Sequence, residues 1–160
     1  MSATASPRQP LNADEEAFIR ALGRVMLVLP RVMDADLVGE QQMTLNEYAT
    51  MMHLSEAPHR RLRMSELAAV CDVSLSGMTR IVTRLEADGL VERVRCAEDA
   101  RGSNAVLTDA GLARLEQAYP THLASVRRHV MDHLGEIDLV RLTQALQRFA
   151  VTEQDPCGGG

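Results

Sequence analysis

The chain has 160 residues and a formal net charge of −5, with 46% apolar but only 2% aromatic side chains. That length fits one domain with appended elements, and its core must be aliphatic, which favours helices. The acidic balance excludes an indiscriminate polyanion binder, and no long apolar run or signal-peptide pattern is visible, which predicts a soluble cytoplasmic protein without a membrane partner.

The charge is unevenly placed. Between His59 and Arg101 there are eight arginines and seven acids, whereas the rest of the chain carries nine arginines and fifteen acids. Basic groups therefore gather in one central stretch, as local phosphate contact requires. Three cysteines, Cys71, Cys96 and Cys157, form no CxxC pair and predict a reduced protein.

After a tail over residues 1–11, Asn12 or Asp14 can cap a long helix reaching roughly Asp36. Phe18, Ile19, Leu22, Val25, Met26, Leu29, Val32 and Met33 give it an apolar stripe wide enough for a partner helix. Pro30 predicts a kink or break. Thr44 and Glu47 make a capping box for a second helix, which Ala57-Pro58 ends near Glu56. His59–Arg63 reads as a basic connector. A short helix over Ser65–Cys71, with Leu67, Ala68 and Val70 inward, then meets a turn at Asp72-Val73-Ser74.

Ser74 can cap the next helix, Leu75 to Asp88, whose buried stripe is Met78, Ile81, Val82 and Leu85. Gly89 ends it. Leu90–Cys96 and Ser103–Leu107 read as two strands around a polar turn at Ala97–Gly102. Thr108 caps a long closing helix broken at Gly135, and Asp138 to about Val151 makes a last amphipathic helix before a tail over residues 152–160. The predicted fold is mainly α with a small β-hairpin wing, a winged helix-turn-helix with helices on both sides.

Subtracting the buried stripe leaves Ser74, Ser76, Gly77, Thr79, Arg80, Thr83 and Arg84 on the open face of the Leu75–Asp88 helix. Small hydroxyls and a glycine in the first turn let backbone approach base edges, and arginine can fork onto guanine. A merely solvated face explains Glu86 and Asp88 at the far end, but not the lack of acids in the first three turns. In the hairpin, Arg101 can enter a minor groove while Asp99 pairs with Arg101 or Arg95 and shapes the tip. The plain alternative is a surface turn with a local ion pair.

The run LAAVCDVSLSGMTRIVTRLEADGLVER, the D-x-R wing and LTDAG resemble the MarR family of transcriptional regulators. The residues carrying the likeness are Leu67-Ala68, Ser74, Thr79-Arg80, Val82, Leu85, Gly89-Leu90-Val91, Arg93, Asp99, Arg101, Leu107-Thr108 and Gly111. The resemblance implies one domain over residues 12–151, with a DNA-binding lobe over 44–108 and dimerisation helices over 12–36 and 109–151. It also implies a homodimer on a pseudo-palindromic operator of double-stranded DNA, often a repressor released by a small phenolic or acidic ligand.

By position in that family, Tyr48, Met52, His53, Arg60, Arg61 and Arg63 are candidates to line an effector pocket, where arginine and histidine could hold a carboxylate. The alternative is that Tyr48 and Met52 belong to the core and the arginines touch phosphate. His122, His129 and His133 share a helix face at offsets of seven and four, a weak metal-binding pattern more in keeping with an interface. Cys71 reads as a small buried thiol, while Cys96 near the wing leaves redox control open. No cofactor is implied. No nucleophile–base set, phosphate loop or H-E-x-x-H supports an enzyme. The rival to a DNA reader is a winged-helix adaptor between proteins, which would not need exposed Arg80, Arg84 and Arg101.

Overall fold

The computed structural model describes residues 9–95 and 102–149. Its elements are α1 (Ala13–Gln41), α2 (Leu45–Glu56), β1 (Arg61–Arg63), α3 (Met64–Val70), α4 (Leu75–Ala87), β2 (Val91–Arg95), β3 (Ser103–Leu107), α5 (Asp109–His129) and α6 (Leu139–Phe149). Short 3-10 turns at Pro58–Arg60 and Met131–His133 complete the described chain. The architecture is the expected one: mainly α, with a winged helix-turn-helix set between long helices.

Helix α1 starts on a capping box, in which Asn12 Oδ1 accepts from the Glu15 N–H at 2.9 Å and Glu15 returns the bond at 2.8 Å. It then runs unbroken through Pro30, against expectation. Proline lacks an N–H, so the Met26 carbonyl loses its donor four residues on. Met26 is 68% exposed, and water can take the place of that donor. The helix also outlasts its expected end at Asp36 by five residues. Leu37 is fully buried, and Arg114 of α5 holds the last turn, donating to the Gln41 carbonyl and, at 3.0 Å, to its side-chain oxygen.

The basic connector is partly a strand. His59 and Arg60 both take left-handed backbone, at φ 55° and 53°, and turn the chain into β1. β1 pairs antiparallel with β3, placing Leu62 opposite Ala105, while β2 pairs with the other edge of β3. The sheet order is therefore β1-β3-β2. Three residues alternating Arg-Leu-Arg are too short for periodicity to reveal, and only the partner strand makes them a strand.

The core lies under this sheet. Tyr48, Met51 and Leu54 of α2 meet Leu67 of α3, Met78, Val82 and Leu85 of α4, and Ala105 and Leu107 of β3. Val70, expected to face inward, is 52% exposed. α3 is only seven residues long, and Leu67 with Ala68 already fills its buried side.

Helix α5 is anchored at its first turn. Thr108 Oγ1 accepts from the Gly111 N–H at 3.0 Å and donates to the Gly89 carbonyl at 2.8 Å, while the Thr108 N–H reaches the Leu90 carbonyl at 3.1 Å. A Cβ on Gly111 would stand 2.1 Å from the Leu90 oxygen and 2.6 Å from Leu107 Cδ1. Only glycine allows this approach. The helix then passes Pro120 without a break but stops at His129, six residues before Gly135.

α1 and α5 are joined by polar contacts as well as packing. Asp36 accepts from Ser125 Oγ at 2.7 Å and lies 2.9 Å from His129 Nε2 and 3.4 Å from Arg128. Thr121 donates to Glu40 at 3.1 Å and accepts from Gln41 at 2.9 Å. Ser125 and Thr121 are buried, so these bonds satisfy groups that water cannot reach. The Ser125 bond is the main cause holding the Asp36 carboxyl below its ordinary value of 3.8; partial desolvation opposes it, and His129 and Arg128 add to it.

Two expectations follow for stability. Gly111→Ala should lower unfolding stability by about 2 kcal/mol or more, the scale of forced overpacking against backbone. Urea unfolding checks this, and an unchanged midpoint would contradict the close approach. Because the folded Asp36 value is depressed, its contribution is present above the ordinary value and is lost as pH falls through the folded one. Asp36→Asn should therefore be less stable than wild type at neutral pH, with the gap closing below about pH 4. Denaturation midpoints across pH test the sign, and a gap that widens in acid would refute it.

Candidate nucleic-acid interface

The turn into α4 is built by backbone hydrogen bonds. Asp72 takes left-handed backbone at φ 51°, the Val73 N–H donates to the Ala68 carbonyl at 3.0 Å, and the Asp72 N–H reaches Ala69 at 3.1 Å. This is a Schellman closure with aspartate where glycine is usual. Ser74 Oγ then caps α4, accepting from the Gly77 N–H at 3.1 Å and lying 3.1 Å from Ser76 Oγ. At the other end Gly89, at φ 71°, closes a second Schellman turn: Leu90 N–H to Leu85 at 2.8 Å and Gly89 N–H to Glu86 at 3.0 Å.

With Met78, Val82 and Leu85 buried, α4 exposes Ser74, Ser76, Thr79, Arg80, Thr83 and Arg84, while Gly77 is half-buried. Seven of the sequence candidates thus lie on one helix or its cap. Arg95 is exposed at the end of β2. Asp99 and Arg101, the wing-tip candidates, and Cys96 lie outside the described residues.

These side chains are not equally available. The hydroxyls of Thr79 and Thr83 donate to the carbonyls of Leu75 and Thr79, each at 2.8 Å. Thr83 Oγ1 also accepts from Arg93, which reaches the Thr79 carbonyl at 3.4 Å and pairs with Glu86 at 3.3 Å. Arg93 therefore braces β2 against α4. Arg84 Nε lies 3.2 Å from Glu47 Oε1, while the other Glu47 oxygen accepts from the Thr44 N–H at 2.8 Å. A buried carboxylate of α2 thus positions Arg84. Arg80 is exposed and makes no hydrogen bond or ion pair with any described residue. It is the α4 arginine free to reach outward.

One residue on this face was not among the sequence candidates for DNA contact, although it stands where the family often has a polar residue. Leu75, the first residue of α4, is 55% exposed beside Ser76. The available signal was its position outside the buried stripe at Met78, Ile81, Val82 and Leu85. An apolar group there suits a thymine methyl.

The effector candidates separate into two groups. Tyr48 and Met52 line a cavity of about 360 Å³ between α2 and α5, with Glu56, Glu116, Tyr119 and His122. His53, Arg60, Arg61 and Arg63 do not line it. Arg60 pairs at 2.8 Å with Asp109, Arg61 is exposed on β1, and Arg63 lines a different cavity beside Leu75 and Thr79. The countercharge expected for a carboxylate is therefore not in the cavity. β1 formation carries Arg61 and Arg63 to the sheet instead.

The three histidines are likewise parted. His122 stacks on Tyr48, ring centroids 4.4 Å apart, and burial lowers its proton affinity. His129 is engaged by Asp36, and His133 sits exposed in the 3-10 turn after α5. Among the described residues no three His, Cys, Asp or Glu side chains are grouped to hold a metal ion. Burial pushes the Cys71 thiol up, partly offset by Thr50, whose hydroxyl is 3.9 Å from the sulfur; such a group is a poor redox nucleophile.

A helix-turn-helix with a strand-built wing, flanked by long helices that extend beyond it, defines the structural class of the chain. Residues 41–102 match the model of the MarR family. The structure is similar to Sco3205 of Streptomyces coelicolor, a MarR family transcriptional regulator crystallised with DNA. The two are 33% identical, with 96% of each chain covered and a TM-score of 0.84. AbsC of the same organism is 37% identical over 89% of this chain and 96% of its own, with a TM-score of 0.79. The HTH-type transcriptional repressor YetL of Bacillus subtilis (strain 168) is 35% identical over 108 residues, and the match spans 66% of this chain but only 65% of YetL. The chain belongs to the MarR family of transcriptional regulators. Members of that family regulate transcription and are not enzymes. No helix among the described residues is long and apolar enough to cross a membrane.

Proposed function

We propose that this chain is a homodimeric, sequence-specific DNA-binding repressor that acts in the cytoplasm. The observation that carries this reading is the divided face of α4. Its acid-free first turn is capped by Ser74, its rear is braced by Arg93, and Arg80 has no partner among the described residues. Such a face suits base edges in a major groove, with the helix N-terminus on a phosphate. DNA in the crystals of Sco3205 and the repressor role in the name of YetL support the same assignment.

Dimerisation is supported by surface that a lone chain leaves bare. Phe18, Ile19, Val25 and Met26 of α1 are each at least half exposed, and α6 buries no residue although Leu139, Val140, Leu146 and Phe149 lie along it. Apolar area on this scale marks an interface. The lobe over 44–108 then reads DNA, and the helices over 12–36 and 109–151 join two copies. Two-fold symmetry sets the paired α4 helices ~34 Å apart on a pseudo-palindromic operator. Arg101 enters the minor groove with Asp99 and Arg95 beside it. A small organic molecule in the α2–α5 cavity releases the complex.

Binding to DNA flanking the chain's own gene, at fixed salt, tests the assignment. Arg80→Ala should lower affinity for the operator by about tenfold or more and shrink its preference over random DNA. Thr83→Val should stay within about twofold, since that hydroxyl proton already serves the helix backbone. Arg101→Ala should weaken binding with little change in stability. Equal loss on both DNAs for Arg80→Ala makes it a phosphate contact, and no binding by wild type leaves the adaptor reading in its place.

A further inference from the structure

We infer that the cavity between α2 and α5 takes an organic cation, an aromatic or aliphatic amine, rather than an acid. This rests on the proposed release by a small molecule and adds the charge that molecule must carry. The volume of about 360 Å³ falls within the range of small-ligand sites. Two carboxylates, Glu56 and Glu116, line it from opposite helices, and no arginine does.

Acids alone would describe only a solvated rim. The floor of the cavity argues for an occupant. Tyr48 is 3% exposed, yet its hydroxyl has no hydrogen-bond partner among the described residues. Its burial, with Tyr119 and Glu56 nearby, holds that phenol protonated well past neutrality. Tyr48 therefore offers a neutral hydroxyl beside the Glu56 charge. His122, stacked on its ring, is neutral because burial disfavours its charged form, and its buried Nδ1 is likewise unpartnered. The histidine thus supplies a polar atom without a positive charge to repel a cation.

The exposed ring of Tyr119 also favours a cation. An ammonium head would meet carboxylate and phenol oxygens, while Met52, Leu112 and Leu115 receive its apolar body. A carboxylate would face two like charges.

Calorimetric titration of the full chain with phenethylamine, phenethyl alcohol and phenylacetate, at neutral pH and physiological salt, separates the charge classes. The amine should bind about tenfold tighter than the alcohol, and phenylacetate weakest. Glu56→Gln and Glu116→Gln should each cut the amine-to-alcohol ratio by about threefold, and the double variant should bring it near unity. Both sites are on the surface, so the variants should fold, which unchanged unfolding midpoints confirm. Phenylacetate binding as well as the amine, a ratio unmoved in the double variant, or no binding of any probe overturns the inference. Operator binding of the same preparations without ligand is scored in parallel. Its failure overturns the regulator reading, whereas a wrong ranking with operator binding intact overturns the charge assignment alone.

Discussion

The close approach of Gly111 to the Leu90 carbonyl is the constraint on which the arrangement depends. Three segments meet there: the Schellman close of α4, the start of β2 and the first turn of α5. Thr108 ties them by accepting from Gly111 while donating to Gly89. The reading helix and the long helix leading away from the wing are thus fixed to one another through backbone and one short hydroxyl side chain, not through long flexible ones. Backbone contacts have few alternative arrangements, so the orientation of α4 follows that of α5. The L-T-x-x-G pattern has a physical reading in these bonds: one hydroxyl serves two backbones, and the missing Cβ admits a third.

That rigidity explains why the polar face of α4 divides as it does. Arg93 lies two residues past the buried Val91, on the same face of the strand, and the pleat turns it toward the helix. Its guanidinium gathers Thr83, the Thr79 carbonyl and Glu86. Glu47 does the same for Arg84 from α2. Of the two α4 arginines assigned to DNA by pattern, Arg84 is thus already engaged, and Arg80 makes no hydrogen bond or ion pair with any described residue. A helical wheel shows which side chains face outward. It does not show which of those are bonded to a neighbouring element.

The sequence made the capped and periodic elements legible. Asn12, Thr44, Ser74 and Thr108 each cap the helix they foretold, and Gly89 ends α4. What it concealed depends on partners distant in the chain. β1 exists because β3 pairs with it. The last turn of α1 persists because Arg114 binds Gln41, far along the chain. Pro30 was read as a kink or break, but a proline forfeits one hydrogen bond, and α1 runs on through it as α5 does through Pro120. Of the six cavity candidates, Tyr48 and Met52 follow from helical spacing on α2, whereas placing Arg60, Arg61 and Arg63 required knowing that their segment is a strand.

α2 is where the two proposed activities meet. Glu47 and Tyr48 are neighbours in sequence and point to different parts of the molecule: one holds Arg84 of the reading helix, the other forms the floor of the α2–α5 cavity. Both are almost fully buried, so neither moves without the helix that carries them. A ligand influences DNA affinity only by binding one arrangement of α2 better than another. Under the proposed reading, an occupant that draws Glu56 and Tyr48 toward α5 acts on the same twelve-residue helix whose N-terminal turn fixes Arg84. The span is short: Thr44 caps α2 at one end, the cavity begins at Tyr48, and Glu56 closes it at the other. Coupling over that distance needs no pathway through the core, only a small rotation of one capped helix against the rigid junction at Gly111.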